Sequence, residues 1–152
     1  MKKSILALIT ATSLLTACAT TSQNVSSDGL YSFPEGIEDG YWAMVGDVDG
    51  EYAVINFKGN LTHNYRFKCN AETKTYRQTE KETYTLKPTT NGMQLVYKNE
   101  PAFSTLKAIT LEPKKFLIMQ QTFPDKELQE LLPDGLEFVY FYTPTLKPLC
   151  IS

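Results

Sequence analysis

The sequence predicts an all-β domain with one short helix, folded as a small antiparallel meander barrel or a curled sheet of about seven or eight strands. From residue 40 onward, apolar and polar residues alternate with the two-residue period of a strand. Turn residues separate these segments at positions 47–50, 58–60 and 89–92. Only the segment after Pro124 has the i, i+3, i+4 apolar spacing of a helix.

The first three strands are predicted near residues 41–47, 51–58 and 61–70. Alternation is clearest in the third, where the more apolar set of side chains is Leu61, His63, Tyr65, Phe67 and Cys69. The other set is Thr62, Asn64, Arg66 and Lys68. This pattern predicts a strand with the first set buried and the second in water. The preceding strand repeats it with Ala53, Ile55 and Phe57.

The next strands are less regular. A long strand with one wet face is predicted over residues 73–86, with Tyr76, Tyr84 and Leu86 on the same face. A strand with Met93, Leu95 and Tyr97 on its inner face follows, and then strands at 104–111 and 115–122. The continuous apolar run at 116–119 predicts burial on both faces.

The helix is predicted to start at Pro124 and to end at residues 133–135. Its stripe of Leu128, Leu131 and Leu132 is expected to pack against an end or a face of the sheet. The last strand, residues 136–143, is apolar or aromatic at six of eight positions. Both of its faces are therefore expected to be buried, or one of them to cover a partner.

The N-terminus carries a short targeting signal. Lys2 and Lys3 precede an apolar stretch, residues 5–15, that is too short to cross a bilayer stably. It ends in Leu15-Thr16-Ala17-Cys18, which resembles the processing signal of bacterial lipoproteins. The resemblance implies cleavage before Cys18, a diacylglycerol on its thiol and a fatty acyl group such as palmitate on its amine. The alternative is a plain secretory signal, with Cys18 as an ordinary cysteine.

The resemblance also implies a location and a domain organisation. Ala19, in place of the Asp that retains many lipoproteins in the inner membrane, resembles the outer-membrane class, so we expect a lipid-anchored protein of the cell envelope facing the periplasm. Residues 1–17 form the signal peptide, 18–32 the lipidated cysteine and a flexible tether, and 33–152 a single β-domain. Residues 19–29 contain one sizeable apolar side chain, whereas residues 30–34 are expected to pack on the domain.

Charge argues against a nucleic-acid partner. Without Lys2 and Lys3, the 15 basic residues fall to 13 against 17 acidic ones. No run of like charges occurs, because Lys58, Arg66 and Lys68 are interleaved with polar and acidic residues. We therefore expect no nucleic-acid partner, and we expect contact with the membrane through the lipid anchor that the resemblance implies.

Three cysteines are present, and lipidation of Cys18 leaves two. In an oxidising compartment, Cys69 and Cys150 are expected to form a disulfide that holds the C-terminus to a strand. The alternative is a redox or metal-binding thiol pair, but the C-x-x-C spacing and supporting histidines are missing.

Gly40-Tyr41-Trp42 resembles the G-x-W motif that opens the first strand of lipocalins. The order of strand meander, late helix and C-terminal cysteine is also similar. The resemblance implies a barrel with Trp42 as its floor and the binding of a small apolar ligand. The T-D-x-Y pattern of lipocalins does not occur, no Arg follows the helix, and the helix precedes a full strand.

The sequence favours neither catalysis nor metal binding. His63 is the one histidine, and no G-x-S-x-G motif occurs. Asp47, Asp49 and Gly50 match only a fragment of a calcium loop and suit a hairpin turn. Glu80 and Glu82 are expected to be solvated. We therefore predict no catalytic residues, no metal site and no cofactor.

Aromatic residues are frequent, with nine Tyr, eight Phe and one Trp. Most are expected to fill the core, but some could contact a ligand or a partner. The candidates are Trp42, Tyr52, Tyr65, Tyr97, Tyr140 and Tyr142. The leading hypothesis is a non-enzymatic envelope lipoprotein that binds an envelope protein. The alternatives are a lipocalin-like carrier or sensor of a small apolar ligand and a hydrolase that uses His63.

Overall fold

The computed structural model describes residues 25–150, which form eight antiparallel strands and one short helix. The predicted all-β class is confirmed. The strands are β1 (Tyr41–Met44), β2 (Tyr52–Lys58), β3 (Leu61–Asn70), β4 (Thr75–Pro88), β5 (Met93–Val96), β6 (Ser104–Glu112), β7 (Phe116–Thr122) and β8 (Leu136–Thr143). The helix α1 (Lys126–Leu131) lies between β7 and β8. The lipoprotein signal and Cys18 lie outside the described residues.

The sheet is a meander that closes on itself. Each strand pairs with its neighbour in sequence, and β8 pairs with β1. Closure is incomplete along one strand, because β4 pairs with β3 from Thr75 to Thr85 but with β5 only from Thr85 to Pro88. The outer edge of β4 over residues 75–84 therefore has no strand partner within residues 25–150.

One end of the ring is closed by the segment that precedes β1. The indole Nε1 of Trp42 donates a hydrogen bond to the Ile37 carbonyl at 2.7 Å. The rings of Phe33 and Phe57 lie 4.8 Å apart. Tyr31 is also buried, and its hydroxyl accepts a hydrogen bond from the Ala108 amide at 2.8 Å. Residues 30–34 thus pack on the domain as expected.

The prediction for the faces of β3 is right for Tyr65 and Phe67, which are buried. It is wrong for the set expected in water, because Thr62 is buried and Asn64 and Arg66 are half-buried. Asn64 lies opposite Ile55, on the inner face, whereas Tyr65 lies opposite Val54, on the outer face. Tyr65 and Phe67 of the outer set are nevertheless buried, because residues that follow β8 cover them. This second core consists of Ala43, Val54, Tyr65 and Phe67, with Tyr41, Leu146 and Leu149 packed against it.

The expected disulfide holds this cover in place. Cys69 and Cys150 are bonded, with their Cα atoms 5.7 Å apart. Because the C-terminal segment supplies its own apolar side chains, an outward-facing apolar row becomes a core. The alternation correctly predicted that one face of β3 carries buried apolar side chains. It did not predict that this face lies on the outside of the sheet.

A β-bulge changes the faces of β4. The register shifts between Arg66 and Phe67, so Tyr76 opposes Cys69 on the outside while Tyr84 opposes Thr62 on the inside. The prediction that Tyr76 and Tyr84 share a face is therefore wrong, because an extra residue in one strand reverses the alternation.

Two further packing predictions are wrong. Helix α1 is capped by the Asp125 side chain, which accepts a hydrogen bond from the Leu128 amide, but none of its residues is buried, and Leu131 is 76% exposed. In β7, Leu117 and Met119 are buried inside, whereas Phe116 and Ile118 are only half-buried. For β8 two alternatives were left open, burial of both faces or one face that covers a partner, and the 47% exposure of Phe141 excludes burial of both faces.

Among residues 25–150, no helix is both long and apolar enough to cross a membrane.

Candidate functional site

The interior of the ring is filled at one end and open at the other. Trp42, Phe57, Leu117 and Met119 are almost completely buried and fill the end that residues 33–37 close. At the end that carries the β1–β2 and β5–β6 connections lies a cavity of about 250 Å³. Its apolar lining is Met44, Val48, Ala53, Ile55, Leu95, Phe103, Leu106 and Phe138, and its polar or tyrosine lining is Glu51, Thr62, Asn64, Arg66, Tyr84, Gln121 and Tyr140.

Two polar side chains that line the cavity, Thr62 and Gln121, are paired within the protein. The Thr62 hydroxyl donates to the Asn56 carbonyl at 3.3 Å. The Gln121 amide donates to the Ser104 hydroxyl at 2.9 Å. Asn64 differs, since its Oδ1 is shielded from solvent and has no hydrogen-bond partner. A buried acceptor without a donor is unusual in a folded protein.

The rim of the cavity is charged. The Arg66 guanidinium lies 3.8 Å from a carboxylate oxygen of Glu51 and 3.5 Å from one of Glu80. The Tyr84 hydroxyl donates to the Glu82 carboxylate. Burial, followed by this hydrogen bond, raises the pKa of Tyr84. Glu80 is exposed as expected, whereas Glu82 is half-buried.

Tyr140 stands on the inner face of β8, opposite Met44. Its side chain is enclosed, and this burial raises its pKa far above the ordinary value of a tyrosine. Tyr140 is therefore a neutral hydroxyl at physiological pH, with no role as an anion.

The aromatic residues predicted as contacts do not form one site. Trp42, Tyr140 and Tyr142 lie inside, and the Trp42 and Tyr142 rings are 5.6 Å apart. Tyr65 lies outside in the second core. Tyr52 lines a groove between the β3–β4 hairpin and residues 147–150. Tyr97 packs 5.8 Å from Tyr84, beside the cavity.

Sequence reasoning missed the residues that give the cavity its polarity. Asn64 and Arg66 were expected in water, because they alternate with apolar neighbours. Tyr84 and Phe103, whose rings are 5.2 Å apart, were not singled out as site residues. No local pattern distinguishes them, since their placement depends on the face that β3 turns inward.

A second candidate site lies on the outside of the sheet. Phe116 pairs with Phe141, and Ile118 with Val139, in direct cross-strand register. Val45, the residue that follows β1, adjoins these pairs, because its amide donates to the Val139 carbonyl at 2.8 Å. We call these five residues the β7–β8 face. Val45, Val139 and Phe141 are 44%, 40% and 47% exposed.

His63 does not contribute to either site. Its side chain is on the outer face of β3, with Nδ1 2.9 Å from the Thr83 hydroxyl oxygen. Partial burial, followed by the charges of Lys81 and Lys58, lowers its pKa. Within residues 25–150, no group of three His, Cys, Asp or Glu side chains could hold a metal ion.

Comparison of the chain with protein-family models, curated proteins and solved structures finds no match in any of the three.

Proposed function

We propose that this chain is a non-enzymatic lipoprotein of the cell envelope, anchored through Cys18, whose β-domain binds a protein partner. The β7–β8 face carries this proposal. It places two aromatic and three aliphatic side chains side by side on the outside of a sheet whose inner face already packs a core. Contiguous exposed apolar residues of this kind are typical of protein interfaces.

The surroundings of the β7–β8 face suit an interface. Glu137, on the same side of β8 and opposite Gln120, is exposed and supplies charge at the border of the apolar residues. An apolar centre with a polar rim is the usual anatomy of a protein–protein contact.

Crosslinking in intact cells, followed by purification of this protein from membranes, tests the proposal. Phe141→Glu places a charge at the centre of the β7–β8 face, and Glu137→Lys reverses a charge at its border. Both should reduce recovery of the crosslinked partner by several-fold without lowering the melting temperature. Leu131→Glu is the matched control, because Leu131 is a more exposed apolar residue outside this face. Equal recovery with Phe141→Glu and Leu131→Glu would rule out the β7–β8 face as the interface.

The cavity supports a second candidate function, a carrier or sensor of a small apolar ligand. Its lining is mainly apolar and includes two tyrosines, as ligand sites commonly do, although its volume of about 250 Å³ lies just below their usual range of roughly 300–1,000 Å³. Tyr140→Trp places a larger side chain in the cavity. Binding of an apolar probe to the wild-type protein that is lost in Tyr140→Trp would support this function. The hydrolase alternative has no comparable support, because the His63 ring lies on the outer face.

A further inference from the structure

We propose that the cavity binds a small, uncharged ligand with an apolar body and one hydrogen-bond acceptor, such as the oxygen of a ketone or aldehyde, and that the Tyr140 hydroxyl donates to this acceptor. This inference rests on the carrier function proposed above. It adds the chemical class of the ligand and the residue that recognises its polar group.

Apolar side chains surround this tyrosine. Tyr140 lies on the inner face of β8, opposite Met44 on β1 and opposite Leu117 on β7. The ring of Phe138, two residues earlier on the same face, lies 6.5 Å from the Tyr140 ring. Met44 and Phe138 line the cavity together with Tyr140. None of these three neighbours has a side chain that offers the hydroxyl a strong hydrogen-bond acceptor.

The Tyr140 hydroxyl is unpaired and opens to the cavity. Tyr140 is only 8% exposed, yet its hydroxyl has no hydrogen-bond partner among residues 25–150. In the same part of the chain, the one unpaired side-chain nitrogen or oxygen atom that is shielded from solvent is Asn64 Oδ1. The unpaired oxygen of Tyr140 therefore keeps accessible surface, and Tyr140 lines the cavity. Buried tyrosine hydroxyls usually have a partner, and a molecule in the cavity can supply one here.

The other neutral donors of the cavity are already in use. The side chains of Tyr84, Thr62 and Gln121 each donate a hydrogen bond within the protein. Tyr140 keeps its proton, because burial raises its pKa far above the ordinary value of a tyrosine. The free protein therefore presents an unpaired donor at this position, and the matching group on a ligand is an acceptor.

The charges at the rim argue against an anionic ligand. Among residues 25–150, Arg66 is the one cation that lines the cavity, and it lies between Glu51 and Glu80. A carboxylate would have to displace one of these partners and would approach the other at close range. The oxygen of an uncharged carbonyl group meets neither obstacle.

The volume limits the size of the ligand. A dry cavity of about 150 Å³ accepts benzene, so one of about 250 Å³ admits a benzene ring with a short polar group. The apolar lining, which includes Ile55, Leu106 and Phe138, suits such a ring. An aromatic ketone of this size thus represents the ligand class.

Acetophenone and α-methylstyrene test the proposal. They have nearly the same shape, but the carbonyl oxygen of the first is a methylene group in the second. Binding is measured on the intact protein in nanodiscs, with uptake by empty nanodiscs subtracted. Tyr140→Phe should weaken acetophenone binding by about fivefold and leave α-methylstyrene binding within about twofold, because it removes the donor and keeps the ring. Tyr142→Phe is the matched control and should change neither affinity, because it removes a hydroxyl from the same face of β8 outside the cavity lining.

Each outcome decides a different point. Equal weakening of both probes by Tyr140→Phe, or unchanged acetophenone binding, would overturn the role of Tyr140 and leave the carrier function standing. Failure of both probes to bind the wild-type protein would overturn both.

A second measurement needs no variant and stays decisive even if Tyr140→Phe does not fold. Isotope-edited infrared spectra isolate the carbonyl band of acetophenone bound to the wild-type protein. A hydrogen bond from a hydroxyl weakens the carbonyl bond, so we expect this band at a lower frequency than in hexane. A band at the hexane position would refute the inference.

Discussion

Removal of the disulfide should destabilise the domain strongly. Cys69 and Cys150 are 81 residues apart in sequence, so the bond closes most of the described domain into one loop. On the chain-entropy model, opening a loop of this length costs about 4.5 kcal/mol of unfolding free energy at 25 °C. Because a domain of this size has roughly 5–15 kcal/mol in total, Cys69→Ala/Cys150→Ala should remain folded but lose a large part of its stability.

Urea unfolding monitored by tryptophan fluorescence measures this loss. Trp42 is the single tryptophan and is completely buried, so its emission reports the core at the closed end. With a slope of about 2 kcal/mol per molar urea, the midpoint should fall by roughly 2 M. Leu149→Ser, with the disulfide intact, measures separately the packing of the C-terminal segment on the second core. A loss below about 1 kcal/mol in the double variant would refute the argument, since the bond would then not constrain the unfolded chain.

Three other substitutions test the anchor, the closed end and the histidine. Cys18→Ser should release the protein from membranes or leave it unprocessed, and equal membrane retention without acyl mass would contradict lipidation. Gly40→Ala should lower stability by about 1–3 kcal/mol, because the new Cβ would lie 2.7 Å from a ring carbon of Tyr142; an unchanged melting temperature would contradict this. His63→Ala should preserve partner recovery at a modest cost in stability. Because the pKa of His63 is lowered in the folded state, its contribution to stability is present above about pH 6.5 and is lost as the pH falls below it. His63→Ala should therefore lose less stability on acidification than the wild-type protein. Identical pH profiles of unfolding free energy would refute this contribution.

The strands were predictable because their signals are local. Alternation and turn residues set β3 at Leu61–Asn70 and β8 at Leu136–Thr143, which match the predicted segments. The disulfide was predicted from three cysteines once Cys18 was assigned to the lipid anchor, which left Cys69 and Cys150 as a pair. β1 is shorter than expected and ends at Met44, since Val45 continues with a single hydrogen bond to β8 rather than a ladder to β2.

The candidate sites were predictable only in part. Trp42 was singled out from the lipocalin-like motif and Tyr140 from the aromatic content, and both lie inside the ring. Asn64 was placed in water, because an alternating strand with one apolar row gives no indication that another segment covers that row from outside. The apolar residues of β8 predicted either burial of both faces or one face that covers a partner, and the observed exposure of Phe141 excludes the first alternative.

The amino-acid sequence by itself determined the β class, the order and approximate bounds of the strands, and the pairing of the two domain cysteines. These properties depend on side-chain period, turn chemistry and residue count, which are present in the chain before it folds. The tertiary structure alone decided which row of β3 faces inward, that the bulge in β4 turns Tyr84 toward the cavity, and that the β7–β8 face remains exposed. Each of these depends on contacts between segments distant in sequence, because a row of apolar side chains is buried by whichever segment reaches it.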